Sequence, residues 1–315
     1  MSRTLFDSPP WAAVLRQAYG FEVEYIHIQG GAALPYCALD LPTGRRVTSL
    51  PFVDYLDPTA DEVKAALEQL KAQYPDRPII FKTLLSPDAL PELQPSRQAV
   101  LHRIPVADYQ PDGKQRWSVR KSEKMGVTIH FTDTWERMQA FYSIYRELRF
   151  GKFGIIPQPL GFFEAVHEQF MEQGSGFIVE ARHEGELLAA LVVLEWEGVW
   201  YHKFSGSTAA SLRYRPNNIL FDRMLTRARE QSIDTVDLGL SGTSEAYAGL
   251  RHFKETMGGI AQPITYFTHT PGGYENPTAK ATKKMLQQLT AEIVAADLDD
   301  TATSRLSQII YPNFA

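Results

Sequence analysis

What the sequence lacks narrows it first. One cysteine, Cys37, stands in 315 residues, so no internal disulfide can form; set in an apolar run, its expected state is buried and inert. No stretch approaches the roughly eighteen apolar residues that a membrane span needs, and residues 1–10 have no apolar segment of the kind a secretory leader carries. A soluble, cytoplasmic chain without a membrane span is therefore expected. An excess of basic charge is also missing. Thirty-two Lys and Arg face 37 Asp and Glu, for a formal net charge of −5, which argues against a dedicated duplex-DNA binder but leaves room for a local basic groove. The eight histidines, at 27, 102, 130, 167, 183, 202, 252 and 269, show no ligand spacing, and no metal is expected. A Gly-x-Ser-x-Gly elbow, a Gly-x-Gly-x-x-Gly turn and a Walker loop are absent, which removes the commonest serine hydrolases and nucleotide-dependent enzymes.

What is present is a soluble globular composition, 44% apolar and 22% charged, on a chain long enough for two domains or one large one. The organising stretch is 177–259. Short apolar runs at 177–182, 187–195 and 199–206, rich in β-branched and aromatic residues and separated by His183-Glu-Gly-Glu186 and Glu197-Gly198, predict an antiparallel meander. A basic loop, 211–216, a helix at 217–231 and a fourth strand at 235–240 follow, the last ending in Gly239, Ser241 and Gly242. A strand end bearing glycines and Ser241 beside a cationic loop is a place to bind a ligand. The first hundred residues carry similar ingredients: a helix after Ser8-Pro-Pro, strands at 21–28, 33–41 and 45–50 joined by Gly30-Gly31 and Pro42-Thr-Gly44, a helix at 59–74, a strand at 78–81, a loop at 86–95 and a strand at 99–104. Between the halves lie a helix starting near Lys114, a strand at 127–131 and helices at 134–150 and 160–173. After them come 248–259, a strand at 262–268 and helices near 279–296 and 303–310.

The candidate chemistry is anionic recognition. Arg116, Arg120 and Lys124 recur every four residues on one helix face; they form either a solvated face or a site whose bound anion relieves their mutual repulsion. Arg213 and Arg215 flank Tyr214 just ahead of Asn217 and Asn218. Two arginines and the free N–H groups of a helix start suit a phosphate, while the alternative is a surface loop that caps a helix. Lys254 follows the fourth strand in an apolar-flanked segment. It is either a surface lysine or, aimed at the open sheet end, a stabiliser of an oxyanion. Asp237, between Val236 and Leu238, is either a structural partner for a cation or a carboxylate with a tuned pKa.

These residues, taken in order, resemble the FemAB-like branch of the GNAT acyltransferase superfamily. The resemblance rests on Ser118-Val-Arg-Lys-Ser-Glu-Lys-Met-Gly-Val127, Phe141-Tyr-Ser-Ile-Tyr145 with Phe150-Gly-Lys152, and the block 157–163. It continues through Pro216-Asn-Asn-Ile-Leu-Phe221, Val236-Asp-Leu-Gly239, and Gly249-Leu-Arg-His-Phe-Lys254 with Met257-Gly-Gly259. It implies an α/β (α+β) fold of two GNAT-like lobes, each a mixed, mostly antiparallel twisted sheet flanked by helices. The lobes would be a degenerate one at 1–105 and an acyl-transfer lobe at 106–270, with a helical tail at 271–315. It implies direct transfer of an acyl or aminoacyl group from an activated donor to an amine of a peptide, amino acid or cell-wall precursor. Acyl-CoA or aminoacyl-tRNA would be the co-substrate donor, with no tightly bound cofactor. The glycine-rich coenzyme A cradle of ordinary GNAT enzymes is missing at 211–216. The long coiled-coil arm of the larger Fem proteins is missing too. In this reading Lys254 meets the oxyanion or donor charge, Arg213, Arg215, Asn217 and Asn218 hold donor phosphate, and Arg120 and Lys124 meet anionic substrate groups. Tyr201, Tyr214 and Asp237 relay protons or position groups. The other class is a non-catalytic GNAT-fold protein that binds a small anion or a protein partner.

Overall fold

The computed structural model describes residues 3–28, 30 and 33–315; Gly31 of the expected Gly30-Gly31 turn lies outside the described residues. The first helix, α1 (Pro9–Tyr19), begins where the Ser8 side chain accepts the Trp11 N–H, and ends at Gly20 in the left-handed conformation, which glycine adopts without a Cβ clash. The strands β1 (Glu24–His27), β2 (Ala33–Leu41) and β3 (Gly44–Thr48) form an antiparallel meander. The helix α2 (Ala60–Gln73) opens with a reciprocal capping box between Thr59 and Glu62, and its buried stripe is Val63, Ala66, Leu67 and Leu70. The strand β4 (Ile79–Thr83) then lies parallel to β3, and β5 (Gln94–Pro105) follows.

The second half repeats this order on a larger scale. It runs α3 (Gly113–Lys124), β6 (Thr128–Thr132), α4 (Trp135–Leu148) and α5 (Leu160–Val166), then the meander β7 (Gly176–His183), β8 (Glu186–Trp196) and β9 (Val199–Ser207). After it come α6 (Pro216–Glu230), β10 (Thr235–Gly242), α7 (Ala248–Thr256) and β11 (Ile260–His269), with α8 (Ala279–Ala295) and α9 (Asp300–Ile310) at the end. Here too the helix after the meander leads to a strand, β10, parallel to the meander's last strand. The strands form one sheet in the order β1-β2-β3-β4-β11-β5-β10-β9-β8-β7-β6. The halves are stitched together, since β11 inserts between β4 and β5 while β5 pairs with β10. The fold is thus α+β, a large, mostly antiparallel sheet flanked by helices. One core cluster unites Phe6, Trp11 and Leu15 with Phe141, Phe163, Phe170 and Ile264 from the far half. A second packs α6, through Leu220 and Met224, on Val193 and Trp200. The helices α8 and α9 bury Leu286, Ile293 and Ile310 against Phe150 and Ile156.

Three local readings need correction. The loop expected at 86–95 ends early, because β5 already begins at Gln94. Pro95 is tolerated there since it faces Phe267 at a register shift in β11, where a missing N–H breaks no regular ladder. Segment 248–256, for which the sequence suggests no element, is the helix α7. Its pattern is inverted, with Leu250 43% exposed and Lys254 only 4%, so hydrophobic periodicity conceals it. The helices expected at 134–150 and 160–173 each finish in a wider π turn, at Arg149–Phe153 and His167–Met171.

Candidate functional site

The strands β9 and β10 pair in parallel only from Thr235 and Val199 as far as Asp237 and Tyr201. Beyond that point they separate. On its other side β10 shifts register against β5, since Asp237 faces Arg103 but Leu240 faces Leu101. The extra residue is accommodated by Gly239, whose φ is 71°, a conformation costly for any residue with a Cβ. Lys254, on α7, reaches into this bulge: its Nζ donates to the carbonyls of Gly239 at 2.7 Å and Leu240 at 3.1 Å. Burial pushes its pKa down to about 8, against the opposing pull of Asp54 and Asp237.

Asp237 is 2% exposed and fully engaged. Its Oδ2 accepts from the Tyr55 hydroxyl at 2.5 Å and from Arg103 Nε at 3.3 Å, and its Oδ1 accepts the Gly239 N–H at 2.7 Å. The Arg103 guanidinium also donates to the Tyr55 hydroxyl at 2.6 Å. Burial raises the Asp237 pKa, and the Tyr55 hydrogen bond and Arg103 oppose that rise. Tyr201 lies beside Asp237 and accepts the Leu5 N–H at 3.2 Å. Burial pushes its pKa up to about 12, so it stays protonated at neutral pH. Next along β9, Lys203 pairs with Asp54 at 3.0 Å and lies over the Phe6 ring at 4.5 Å. A Cβ on Gly239 would stand 3.5 Å from Asp54 Oδ2, so this carboxylate borders the bulge. Ser241 is fully buried, and its hydroxyl has no hydrogen-bond partner among the described residues.

The other expected residues lie at the start of α6. Arg215 is its N-cap, in the left-handed conformation with φ 52° and without a side-chain cap. Its guanidinium packs over Trp117 of α3 at 4.9 Å. With Lys114, Gln115, Ser118, Asn218, His252 and Phe253, Arg215 lines a cleft of ≈190 Å³ between α3, α6 and α7. The Asn218 side chain is spent on structure, donating to Gln115 Oε1 at 2.7 Å. Asn217 is half-buried in the first turn of α6. Tyr214 is buried, accepts from Arg213 at 2.8 Å and stacks near His183, while Arg213 is exposed. Arg120 and Lys124 are exposed on α3 and are not among the residues that line the cleft.

The structure therefore gathers Lys254, Asp237 and Tyr201 at the splayed strands, and Arg213, Tyr214, Arg215, Asn217 and Asn218 at the α6 start. The helix α7 joins the two groups: His252 and Phe253 face the cleft and Lys254 faces the bulge. Four residues of the cluster escape sequence reasoning, namely Asp54, Tyr55, Arg103 and Lys203. Arg103 has a readable signal, because it shares the inward alternation of Ala99 and Leu101 on β5. Lys203 likewise interrupts an aromatic strand. Asp54 and Tyr55 sit in a loop and carry none. Among the described residues, no group of three or more His, Cys, Asp or Glu could hold a metal ion, and no helix is long and apolar enough to cross a membrane.

Residues 114–255 match the acetyltransferase (GNAT) domain family. No curated protein matches the chain. Among solved structures, FemX is similar with a TM-score of 0.60 at 13% identity, covering 90% of this chain and 95% of that one. The C-terminal domain of a putative lysylphosphatidylglycerol synthetase from Agrobacterium fabrum is similar at 0.59 and 13% identity, covering 91% and 92%. The L-PGS of Bacillus licheniformis gives 0.57 and 14%, covering 91% and 98%. Residues 114–255, which span the splayed strands, thus match a GNAT acetyltransferase domain, and the fold along nearly the whole chain is similar to that of FemX and of the lysylphosphatidylglycerol synthetase domain.

Proposed function

We propose that the chain transfers an acyl or aminoacyl group from an activated donor to an amine by direct attack, without a covalent enzyme intermediate. The amine nitrogen forms a bond to the donor carbonyl carbon, the bond from that carbon to the thiol sulfur or ribose oxygen breaks, and the proton that the amine loses replaces the one delivered to the departing thiolate or alkoxide. The observation that carries this reading is the buried Lys254 at the glycine bulge where β9 and β10 part. A protonated lysine there adds positive charge beside the carbonyl on which negative charge develops. It also holds the bulge in shape for a backbone N–H to meet the donor. Tyr201, protonated at neutral pH, is suited to supply a proton to the leaving group. Asp237, with its lone pairs committed to Tyr55, Arg103 and Gly239, acts as a positioning residue rather than a free base.

The donor's phosphates would meet Arg215, Arg213 and the uncapped N–H groups of α6, with acyl-CoA or aminoacyl-tRNA as the two donors to test. The absent glycine cradle is offset in part by Arg215 itself, which takes up the left-handed turn. Residues 1–105 would serve as the degenerate lobe, 106–270 as the transfer lobe and 271–315 as a tail packed on the body. Peptide or cell-envelope modification in the cytoplasm is the setting this reading favours. One observation favours the second reading, a protein that only binds an anion or a partner: Lys254 donates to two backbone carbonyls, as a purely structural lysine would.

Calorimetric titration with acetyl-CoA, with free coenzyme A as the control, tests the proposal. Micromolar binding that requires Arg215, together with thiol release when an amine is supplied, supports a coenzyme-A-dependent transferase. No heat with acetyl-CoA and no transfer from charged tRNA would leave only the binding reading.

A further inference from the structure

The same sheet face continues away from Lys254 into a region the transfer chemistry does not use. Tyr266 on β11 stands directly opposite Lys82 on β4 and Arg97 on β5, so the three side chains lie in a row on one face. Lys82 Nζ lies 6.0 Å and the Arg97 guanidinium 5.1 Å from the Tyr266 ring centroid. Strand spacing alone would set the two outer backbones about 10 Å apart; both cations instead lean in to one ring.

Among the described residues, neither cation forms an ion pair with a carboxylate. Lys82 is half-buried and donates to the Leu50 carbonyl at 2.9 Å, which leaves two of its three donors unused. Arg97 is exposed, and its guanidinium makes no hydrogen bond among the described residues beyond its stacking on Tyr266. The carboxylate that acts on Lys82 is Asp54, already paired to Lys203 at 3.0 Å, while Arg97, Arg46 and Lys203 all repel it. The Arg46 guanidinium is occupied by the carbonyls of Gly44 and Ala315. Burial then pulls the Lys82 pKa down to about 8. A half-buried lysine and a bare arginine converging on one aromatic ring, with surplus positive charge, form an arrangement that an oxyanion completes.

Its place in the fold gives the occupant a role. Asp54 connects the row to the bulge, facing Lys203 with one oxygen and Gly239 with the other. We propose that Arg97, Tyr266 and Lys82 form an anion subsite that anchors the amine acceptor by a carboxylate or phosphate group, so that the acceptor carries both an amine and an oxyanion. A molecule held there would extend over Asp54, which would draw its ammonium end toward the splayed strands. The acceptor role rests on the transfer reading above; the anion site does not.

The test is lysine labelling by acetic anhydride at neutral pH, read by mass spectrometry, in chloride, phosphate and acetate of equal ionic strength. A bound oxyanion raises the Lys82 pKa, and each unit of rise lowers its reactive free-amine fraction about tenfold. Several-fold protection of Lys82 is expected, lost in Arg97→Gln, with the exposed Lys284 of α8 unchanged as an internal reference. Protection by phosphate alone assigns a phosphate-bearing acceptor, protection by acetate alone a carboxylate-bearing one, and protection by both a site for either. No protection by either anion, or equal protection in Arg97→Gln, overturns the site. Where Lys82 is too shielded to label, the thermal midpoint decides: the anions must raise it more in the wild type than in Arg97→Gln. Neither readout uses turnover, so a failure here leaves acyl transfer standing, and a chain inactive in transfer leaves the anion site standing.

Discussion

Lys254 closes the β10 bulge by donating to the carbonyls of both Gly239 and Leu240. The charge at the splayed strands and the backbone shape there therefore depend on one side chain, and they can be separated by pH. In the folded chain the Lys254 pKa is lowered to about 8 from its ordinary 10.5. The unfolded chain thus binds more protons between those values, and stability rises with pH across that window, by at most about 1.4 kcal/mol per unit for this group. Urea unfolding at pH 7.5 and pH 9.5 should show the wild type gaining on Lys254→Met over that interval. A constant difference between the two would mean that the lysine titrates normally. Activity should move the other way: kcat/KM falls as pH rises through about 8, and Lys254→Met loses that alkaline limb along with most of its turnover.

Arg215 pairs an unfavourable backbone with a useful side chain. Its φ of 52° is left-handed, a conformation that costs a residue with a Cβ about 1 kcal/mol relative to glycine. Arg215→Gly should leave the thermal midpoint unchanged or slightly raised, while acetyl-CoA affinity falls about tenfold or more with the loss of the guanidinium. Arg120→Ala, on the outer side of α3, should change neither. Equal affinity in Arg215→Gly would take the α6 start out of donor binding.

Gly239→Ala tests the bulge from the backbone side. The new Cβ would find only ordinary contacts, 3.5 Å from Asp54 Oδ2 and 3.6 Å from the His202 carbonyl, so the cost is conformational, about 1–2 kcal/mol for a left-handed alanine. The expected result is a modest loss of stability with a much larger loss of turnover, because the bulge relaxes toward regular pairing and withdraws from Lys254. Normal turnover in a folded Gly239→Ala variant would show that the bulge geometry is not used.

Much of this architecture was legible because local signals agreed with the tertiary fold. Ser8 and Thr59 cap their helices, and the meander at 176–207 reads directly from β-branched runs and glycine turns. Pro216-Asn-Asn marks the start of α6. What stayed hidden depends on buried charge or on contacts between distant segments. The helix α7 turns Lys254 inward and leaves Leu250 in water, so an apolar-face search passes over it. Tyr55 contributes to the site only through partners 48 and 182 residues away, and no local pattern encodes such contacts. Lys82 and Arg97 look like ordinary solvated residues of two separate strands until β11 is inserted between them.

Asp237, Tyr55 and Arg103 form a closed network, and its members should fail together. Asp237→Asn keeps the shape but removes the charge that Arg103 faces, and the Arg103 side chain, 29% exposed, is only partly able to recover solvation. The expected loss is about 2–4 kcal/mol, at the lower side of what breaking a buried ion pair costs. Tyr55→Phe removes the hydroxyl that both donates to Asp237 and accepts from Arg103, for about 1–3 kcal/mol. Because the charge-assisted Tyr55–Asp237 hydrogen bond is weakened in one variant and removed in the other, the double variant should be more stable than the sum of the single losses predicts, by about 0.5–3 kcal/mol. Additive losses in a urea-unfolding cycle would show that the tyrosine and the aspartate act independently. The activity readout separates positioning from proton transfer. A positioning Asp237 predicts that Asp237→Asn lowers kcat without moving the pH profile, because the carboxylate itself does not titrate in the reaction. Loss of an acidic limb in Asp237→Asn would instead make Asp237 the base that takes the amine's proton.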